Sequence, residues 1–320
     1  MTNITIPDLI AIPAGSFQLG SPPSDPLANN NEKTLEQINL PFFQISKYPI
    51  TNAEYALFIE NSNHQPPTYW QGKTPPLHLS NHPIVHVSLI DALSYCGWLG
   101  QQMGIEFAVP TEMEWEKAAR GVTDIRRYVW GNIWKPKVCN TSELGIGRTT
   151  EVSQFEEVNV SPFGVVDLLG NVWEWTKSDY TQLPGSTHES VRFGTSYKVV
   201  RGGSWHNDQT LARIACRGRY LPGTKRDYLG FRVVTHAFIN TDPVESPPVP
   251  INKEKLRENI INSFTREELR TLCFDMNINP ELFPENIIGF ARELIIHCEK
   301  NNLLTNLIDK LRIERPHIDW

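Results

Sequence analysis
Apolar positions along this chain follow several rhythms, and each rhythm predicts a different kind of element. Thr51 stands three residues before Glu54 and ahead of Tyr55, Phe58 and Ile59, so a capping box opens a helix with one apolar face. A second helix is predicted over residues 88–103. After Pro110 the same spacing recurs at Thr111 and Glu114. Trp115, Ala118 and Ala119 give this third, short helix its apolar face, and the acids of residues 112–116 suit the dipole of its first turn. Strand rhythm is clearest where Trp173 and Trp175 flank Glu174: an extended segment points both indoles one way and the carboxylate the other. Phe231, Val233 and Val234 read as a buried closing strand. Residues 21–40, with Pro22, Pro23, Asp25, Pro26 and three asparagines in a row, read as an exposed loop, with structure resuming at Leu40. Residues 121–160 show no strong period.

The rhythm changes after residue 240. Asp242-Pro243, Pro247-Pro248 and Pro250 forbid a continuous helix or central strand, so residues 241–250 are expected to be a short, stiff linker between a domain of residues 1–240 and one of 251–320. Beyond it Gly289 is the one glycine and helical patterns follow one another. Thr265 and Glu268 form another capping box, with Leu269, Leu272, Cys273 and Met276 on one face. A small helical bundle is predicted, with Leu256, Ile260, Leu269, Leu272, Leu294, Ile295, Leu307 and Leu311 as its core and ten basic against twelve acidic side chains overall.

Composition narrows the function classes. A chain of 320 residues suits one large and one small domain. No apolar run approaches the roughly 18–20 residues of a membrane span, so no membrane partner is expected. A net charge of -6 offers no footprint for phosphate backbones, so nucleic acid is not an expected partner either. Residues 1–12 lack the charged and apolar regions of a secretory signal, from which a cytoplasmic setting is expected. Five widely spaced cysteines, Cys96, Cys139, Cys216, Cys273 and Cys298, without a Cys-x-x-Cys pair, read as buried free thiols. His78, His82 and His86 recur every four residues, but Pro83 and the β-branched neighbours make that stretch extended, so they are not expected to converge on a metal.

Several motifs stand in order: Ile12-Pro13-Ala14-Gly15-Ser16-Phe17, Tyr48-Pro49-Ile50-Thr51-Asn52-Ala53-Glu54-Tyr55, His82-Pro83-Ile84-Val85-His86-Val87-Ser88, Val109-Pro110-Thr111-Glu112, Gly170-Asn171-Val172-Trp173-Glu174-Trp175, and Arg201-Gly202-Gly203-Ser204-Trp205 with Gly230-Phe231-Arg232-Val233-Val234. Together they resemble the formylglycine-generating enzyme and sulfatase-modifying-factor family over roughly residues 8–235. The resemblance implies an α+β chain: an elaborated C-type lectin fold with much irregular structure, followed here by the all-α bundle. In the resembled oxidase two cysteines, three and eight residues after the Ser of Gly-Gly-Ser, bind copper. The matching positions are Asn207 and Ala212, neither of which supplies a soft thiolate, so no copper and no oxidase activity are expected. The family's calcium pattern matches Asp167, Gly170, Val172 and Glu174, two carboxylates and two carbonyls in a glycine-containing loop; a structural Ca²⁺ there stands beside the alternative that the acids merely hydrogen-bond the loop.

Between Trp205 and Gly230 a framework of Arg213, Ala215, Arg217, Pro222 and Arg226 encloses a mixed set: His206, Asp208, Cys216, Gly218, Tyr220, Leu221, Thr224, Asp227 and Tyr228. The segment is similar to the diversified segment of variable proteins of diversity-generating retroelements, which implies that this set faces a ligand, with Tyr220 and Tyr228 as anchors. The tail, through Glu268-Leu269-Arg270-Thr271-Leu272-Cys273-Phe274-Asp275 and Ala291-Arg292-Glu293-Leu294, resembles bacterial effector-associated, death-like domains, which implies an effector protein as partner. The expected function is therefore non-catalytic: a receptor whose diversified surface binds a target, expected to be a protein, and whose tail recruits an effector. A metal-dependent oxidase and a structural scaffold are the alternatives.

Overall fold
Each helix expected from a capping box begins on it. Thr51 opens α1 (Asn52–Glu60), Thr111 opens α3 (Glu112–Arg120) and Thr265 opens α5 (Arg266–Asp275), in each case with the third residue returning its carboxylate to the cap N–H. Between the first two, α2 (Leu89–Met103) starts on Ser88, boxed by Asp91, and ends on Gly104 in the left-handed region. The computed structural model describes residues 7–122, 125–239, 253–276, 278–301, 303–315 and 318. The expected linker at residues 241–250 lies outside them. Two units are separated, Met1–Thr241 and Asp242–Trp320. Among the described residues no helix is long and apolar enough to cross a membrane.

In the first unit β1 (Leu9–Ile12), β4 (Phe43–Ser46) and β9 (Val234–Thr235) form one antiparallel sheet in the order β1-β4-β9. A hairpin pairs β2 (Gly15–Leu19) with β3 (Glu36–Leu40). This strand lies inside the stretch expected to be loop: its exposed polar positions hide the alternation, and the backbone bonds to β2 make it a strand. The third sheet runs β7 (Arg217–Tyr220), β6 (Gly194–Arg201), β5 (Trp173–Tyr180), β8 (Leu229–Phe231), with β8 parallel to β5. The expected closing strand is thus two short strands in two sheets, and Arg232 stands at the break between them. The described residues of 121–160 hold turns and a short 3₁₀ helix, Ser142–Leu144.

Trp173 and Trp175 both enter one cluster, with Tyr55, Tyr95 and Phe231, while Trp115, Ile12, Phe43 and Leu168 build a second. Glu174 points from β5 to the second cluster's side, where Trp115 Nε1 donates to it at 2.6 Å. Buried Glu–Arg pairs knit the elements: Glu116 with Arg120 and Arg201, Glu32 with Arg213, Glu112 with Arg217, Glu174 with Arg232. Gly202 and Gly203 have φ of 98° and 76°, and a Cβ on Gly202 would lie 2.6 Å from the Leu168 carbonyl, so this close approach requires glycine.

The second unit contains α4 (Lys253–Ser263), α5, α6 (Ile287–Lys300) and α7 (Leu304–Glu314). All eight expected core residues are buried in one cluster, joined by Phe264, Cys273, Phe290 and Cys298. The five cysteines of the chain are all buried and free.

Candidate functional site
The segment from Trp205 to Gly230 is held from beneath by residues with core duties. Arg213 makes two hydrogen bonds to Glu32, at 2.6 and 3.1 Å, and Arg217 makes two to Glu112, at 2.8 and 2.9 Å. Ala212, just before Arg213, and Ile214, Ala215 and Cys216, between the two arginines, are buried. Fixed, planar guanidinium forks of this kind set orientation as well as charge balance. Arg226 differs from the other framework residues: its side chain is exposed, and its carbonyl accepts from His86 N at 2.8 Å, so its framework duty is through the backbone.

Of the expected ligand-facing set, His206, Asp208, Leu221 and Asp227 are exposed. Gly218, Tyr220, Thr224 and Tyr228 are half-buried. Cys216 is a correction: it is buried in the core, and burial pushes its thiol up, so it neither faces a ligand nor reacts as a thiolate. The tyrosines are anchored rather than free-standing. Tyr220 meets Trp175 edge-on with centroids 6.3 Å apart, and its hydroxyl lies 3.3 Å from that of Tyr228. Tyr228 stacks on His206 with centroids 5.4 Å apart, and Trp205 abuts both rings edge-on. Their polar ends and ring faces form an ordered aromatic surface of low entropy, the property that makes such residues effective in binding.

Asn207 and Ala212 do not form a pair of donors. Trp173 Nε1 and Ser204 Oγ each donate to Asn207 Oδ1 at 2.7 Å, while Ala212 is a buried methyl. A cleft on this face is lined mostly by residues outside the set expected from the sequence, among them Arg192 and Tyr197, near or on β6, and Arg219 on β7. The signal for them is tertiary: β6 precedes the Gly-Gly-Ser turn yet lies beside β7 in the same sheet.

The segment is also pinned at its far end. Asp91, in the first turn of α2, accepts from Ser88 N at 2.8 Å and pairs with His64 and Lys225, each at 2.8 Å. Burial alone would raise its pKa, but the bonds from Lys225, Ser88 and His64 outweigh it and hold the carboxyl at about 2 against an ordinary 3.8. A depressed acid stabilises the fold above its unfolded value, and that contribution disappears as pH falls from 3.8 through about 2. Asp91→Asn should therefore lower stability at neutral pH by on the order of 1–2 kcal/mol, allowing for the exposure of Lys225. Urea unfolding at a series of pH values checks this: the gap from wild type must close at the acid end, and a gap independent of pH would refute it.

The expected calcium residues sit in a buried turn and in strand β5. Asp167 and Asn171 have φ of 57° and 59°, and Asn171 Nδ2 donates to Asp167 Oδ2 at 2.6 Å in a fully buried turn. Burial holds the Asp167 carboxyl well above its ordinary range, with Glu174 adding to the rise and Asn171 and Arg232 opposing it. Glu174, however, accepts from Arg232 on both oxygens, at 2.6 and 2.7 Å, and from Trp115. A cation at Glu174 would sit beside the Arg232 guanidinium in a site closed to water, so Asp167, Gly170, Val172 and Glu174 do not fit Ca²⁺ as one ligand set. Among the described residues no group of three or more His, Cys, Asp or Glu is disposed to hold a metal ion. His82 instead contacts Thr149 Oγ1 at 2.9 Å, and His86 packs on the Tyr69 ring.

Comparison with known proteins covers both units. The model of the sulfatase-modifying factor enzyme 1-like domain matches residues 1–237, and that of effector-associated domain 7 matches residues 256–316. The formylglycine-generating enzyme of Mus musculus is 28% identical over 291 residues, 72% of this chain and 75% of the mouse protein. The inactive Cα-formylglycine-generating enzyme 2 of the same organism is 28% identical over 290 residues, 72% of this chain and 86% of its own length. Among solved structures, Treponema denticola variable protein 1 is similar with a TM-score of 0.58 at 20% identity, over 72% of this chain and 95% of that one, a likeness of fold.

Proposed function
The chain belongs to the sulfatase-modifying factor enzyme 1-like family through residues 1–237, and from that membership we propose that it is a non-catalytic receptor, whose lectin-type unit binds a protein target and whose helical tail recruits an effector protein. One observation carries the reading. The positions matching the oxidase's two copper cysteines hold Asn207, whose Oδ1 accepts from Trp173 and Ser204, and Ala212, a buried methyl. Cu(I) requires soft thiolate ligands, and neither residue has one. Cys216 does not replace them, since it is alone, buried and held as a thiol. The relatives include a protein named as an inactive formylglycine-generating enzyme.

The burial pattern supports a diversified surface. Residues 212–217 form one buried block that includes the framework residues Arg213, Ala215 and Arg217, and the positions on either side, 205–211 and 218–228, are exposed or half-buried, so those can change identity without unpacking the core. The effector-associated domain at residues 256–316 supports recruitment as the tail's role. The test is aerobic incubation with copper and a cysteine-containing sulfatase peptide. No mass change in the peptide is expected. Conversion of its cysteine to formylglycine would overturn the receptor reading.

A further inference from the structure
The receptor face contains a cleft of about 290 Å³. That is at the lower end of the volumes that enclose whole small ligands, and suits one or two side chains of a partner. Its walls include Trp173, Tyr197, Tyr220 and Asn207, and its polar rim is supplied by Arg192 and Arg219. Among the described residues no Asp or Glu lines it. That is notable in a chain with 36 acidic and 30 basic residues, and it makes the cleft a local positive site on a negatively charged protein.

The arginines here differ from those of the core. Arg201, Arg213, Arg217 and Arg232 each end on a buried glutamate. Neither Arg192 nor Arg219 meets a carboxylate within ion-pair distance among the described residues. Arg219 lies with its guanidinium 5.0 Å from the centroid of Tyr180, a stacking that leaves the N–H edges free to donate in plane. Asn207 uses its Oδ1 for Trp173 and Ser204, so it presents its amide donor rather than its acceptor. The cleft is therefore rich in donors and short of acceptors. It also borders β7, the outer strand of its sheet, along which an extended segment can lie.

We infer that this cleft binds an acidic side chain on an extended segment of the protein target, the carboxylate between Arg192 and Arg219 and the adjoining apolar groups against Trp173, Tyr197 and Tyr220. The inference rests on the receptor reading and deepens it by giving the target's chemistry. Two guanidinium forks favour a carboxylate over a neutral amide of the same shape.

The experiment is selection of a displayed library of random short peptides on the full-length protein and on an Arg192→Gln/Arg219→Gln variant, followed by affinity measurements on enriched sequences. Wild type should enrich peptides containing Glu or Asp. Replacing that acid by Gln or Asn, or using the double variant, should weaken binding about tenfold, with a smaller loss at high salt. The two arginines are not part of the core pairs, so the variant's melting temperature should match wild type. Enrichment of neutral or basic peptides, or equal affinity of the double variant for acidic ones, would overturn the inference and leave the receptor reading standing. Failure to enrich any peptide that competes for this face would overturn both.

Discussion
Glu174→Ala is expected to destabilise the first unit by about 3–5 kcal/mol, a large part of the 5–15 kcal/mol that ordinarily separates folded from unfolded domains. The carboxylate has no exposure to water and accepts two bonds from Arg232 and one from the Trp115 indole. Arg232 also donates to the carbonyls of Ser46, Lys47 and Val166. One ion pair thus joins β5, the β8–β9 break, the end of β4 and helix α3. Without Glu174 the guanidinium keeps its carbonyl partners but its charge is uncompensated in a dry interior, which is costlier than losing the bonds themselves. The double variant Glu174→Ala/Arg232→Met should recover much of the loss, because it removes the stranded charge and refills some volume. Urea unfolding of the single and double variants measures both effects. A single variant within about 1 kcal/mol of wild type, or a double variant no better than the single, would show that the pair is not the pin described here.

Leu294→Ala should unfold the tail at physiological temperature while leaving the first unit's transition in place. Leu294 is fully buried in α6, surrounded by the cluster that includes Leu256, Leu269, Phe290 and Leu307. Truncating such a leucine costs about 2–5 kcal/mol, through lost burial and the cavity left behind. A bundle of this size rarely has more than about 3–5 kcal/mol in total, so the change consumes most of its margin. The tail's cluster is built from the tail's own residues, so the truncation removes contacts within that unit. Calorimetry of the full chain should show the tail's transition lost and the other retained, and capture of an effector partner should disappear with it. If both transitions fell together, the two cores would be coupled and the adaptor reading would lose its independent module.

Much of this molecule is legible locally. Capping boxes at Thr51, Thr111 and Thr265 are seen in the sequence because the cap and its carboxylate lie three residues apart, within one helical turn. The opposite faces of Trp173 and Glu174 follow from strand alternation, and the tail's core follows from helical periodicity. Less visible was β3, whose polar exterior erases the strand pattern until β2 supplies its backbone partners. Cys216 stands in a mixed segment yet is buried, because burial there depends on Glu32 and Glu112 anchoring the arginines on either side.

The sequence by itself determined the helix starts, the family resemblance, the separation of a lectin-type unit from a helical tail, and the absence of thiols at Asn207 and Ala212. These depend on neighbours in the chain or on residue identity alone. Tertiary structure decided which glutamate balances which arginine, why Glu174 is committed to Arg232 rather than available to calcium, and that Arg192 and Arg219 meet at one cleft without a carboxylate. Those outcomes depend on distances between residues far apart in sequence. Charge pairing in a dry interior is set by such distances, and periodicity carries no record of them.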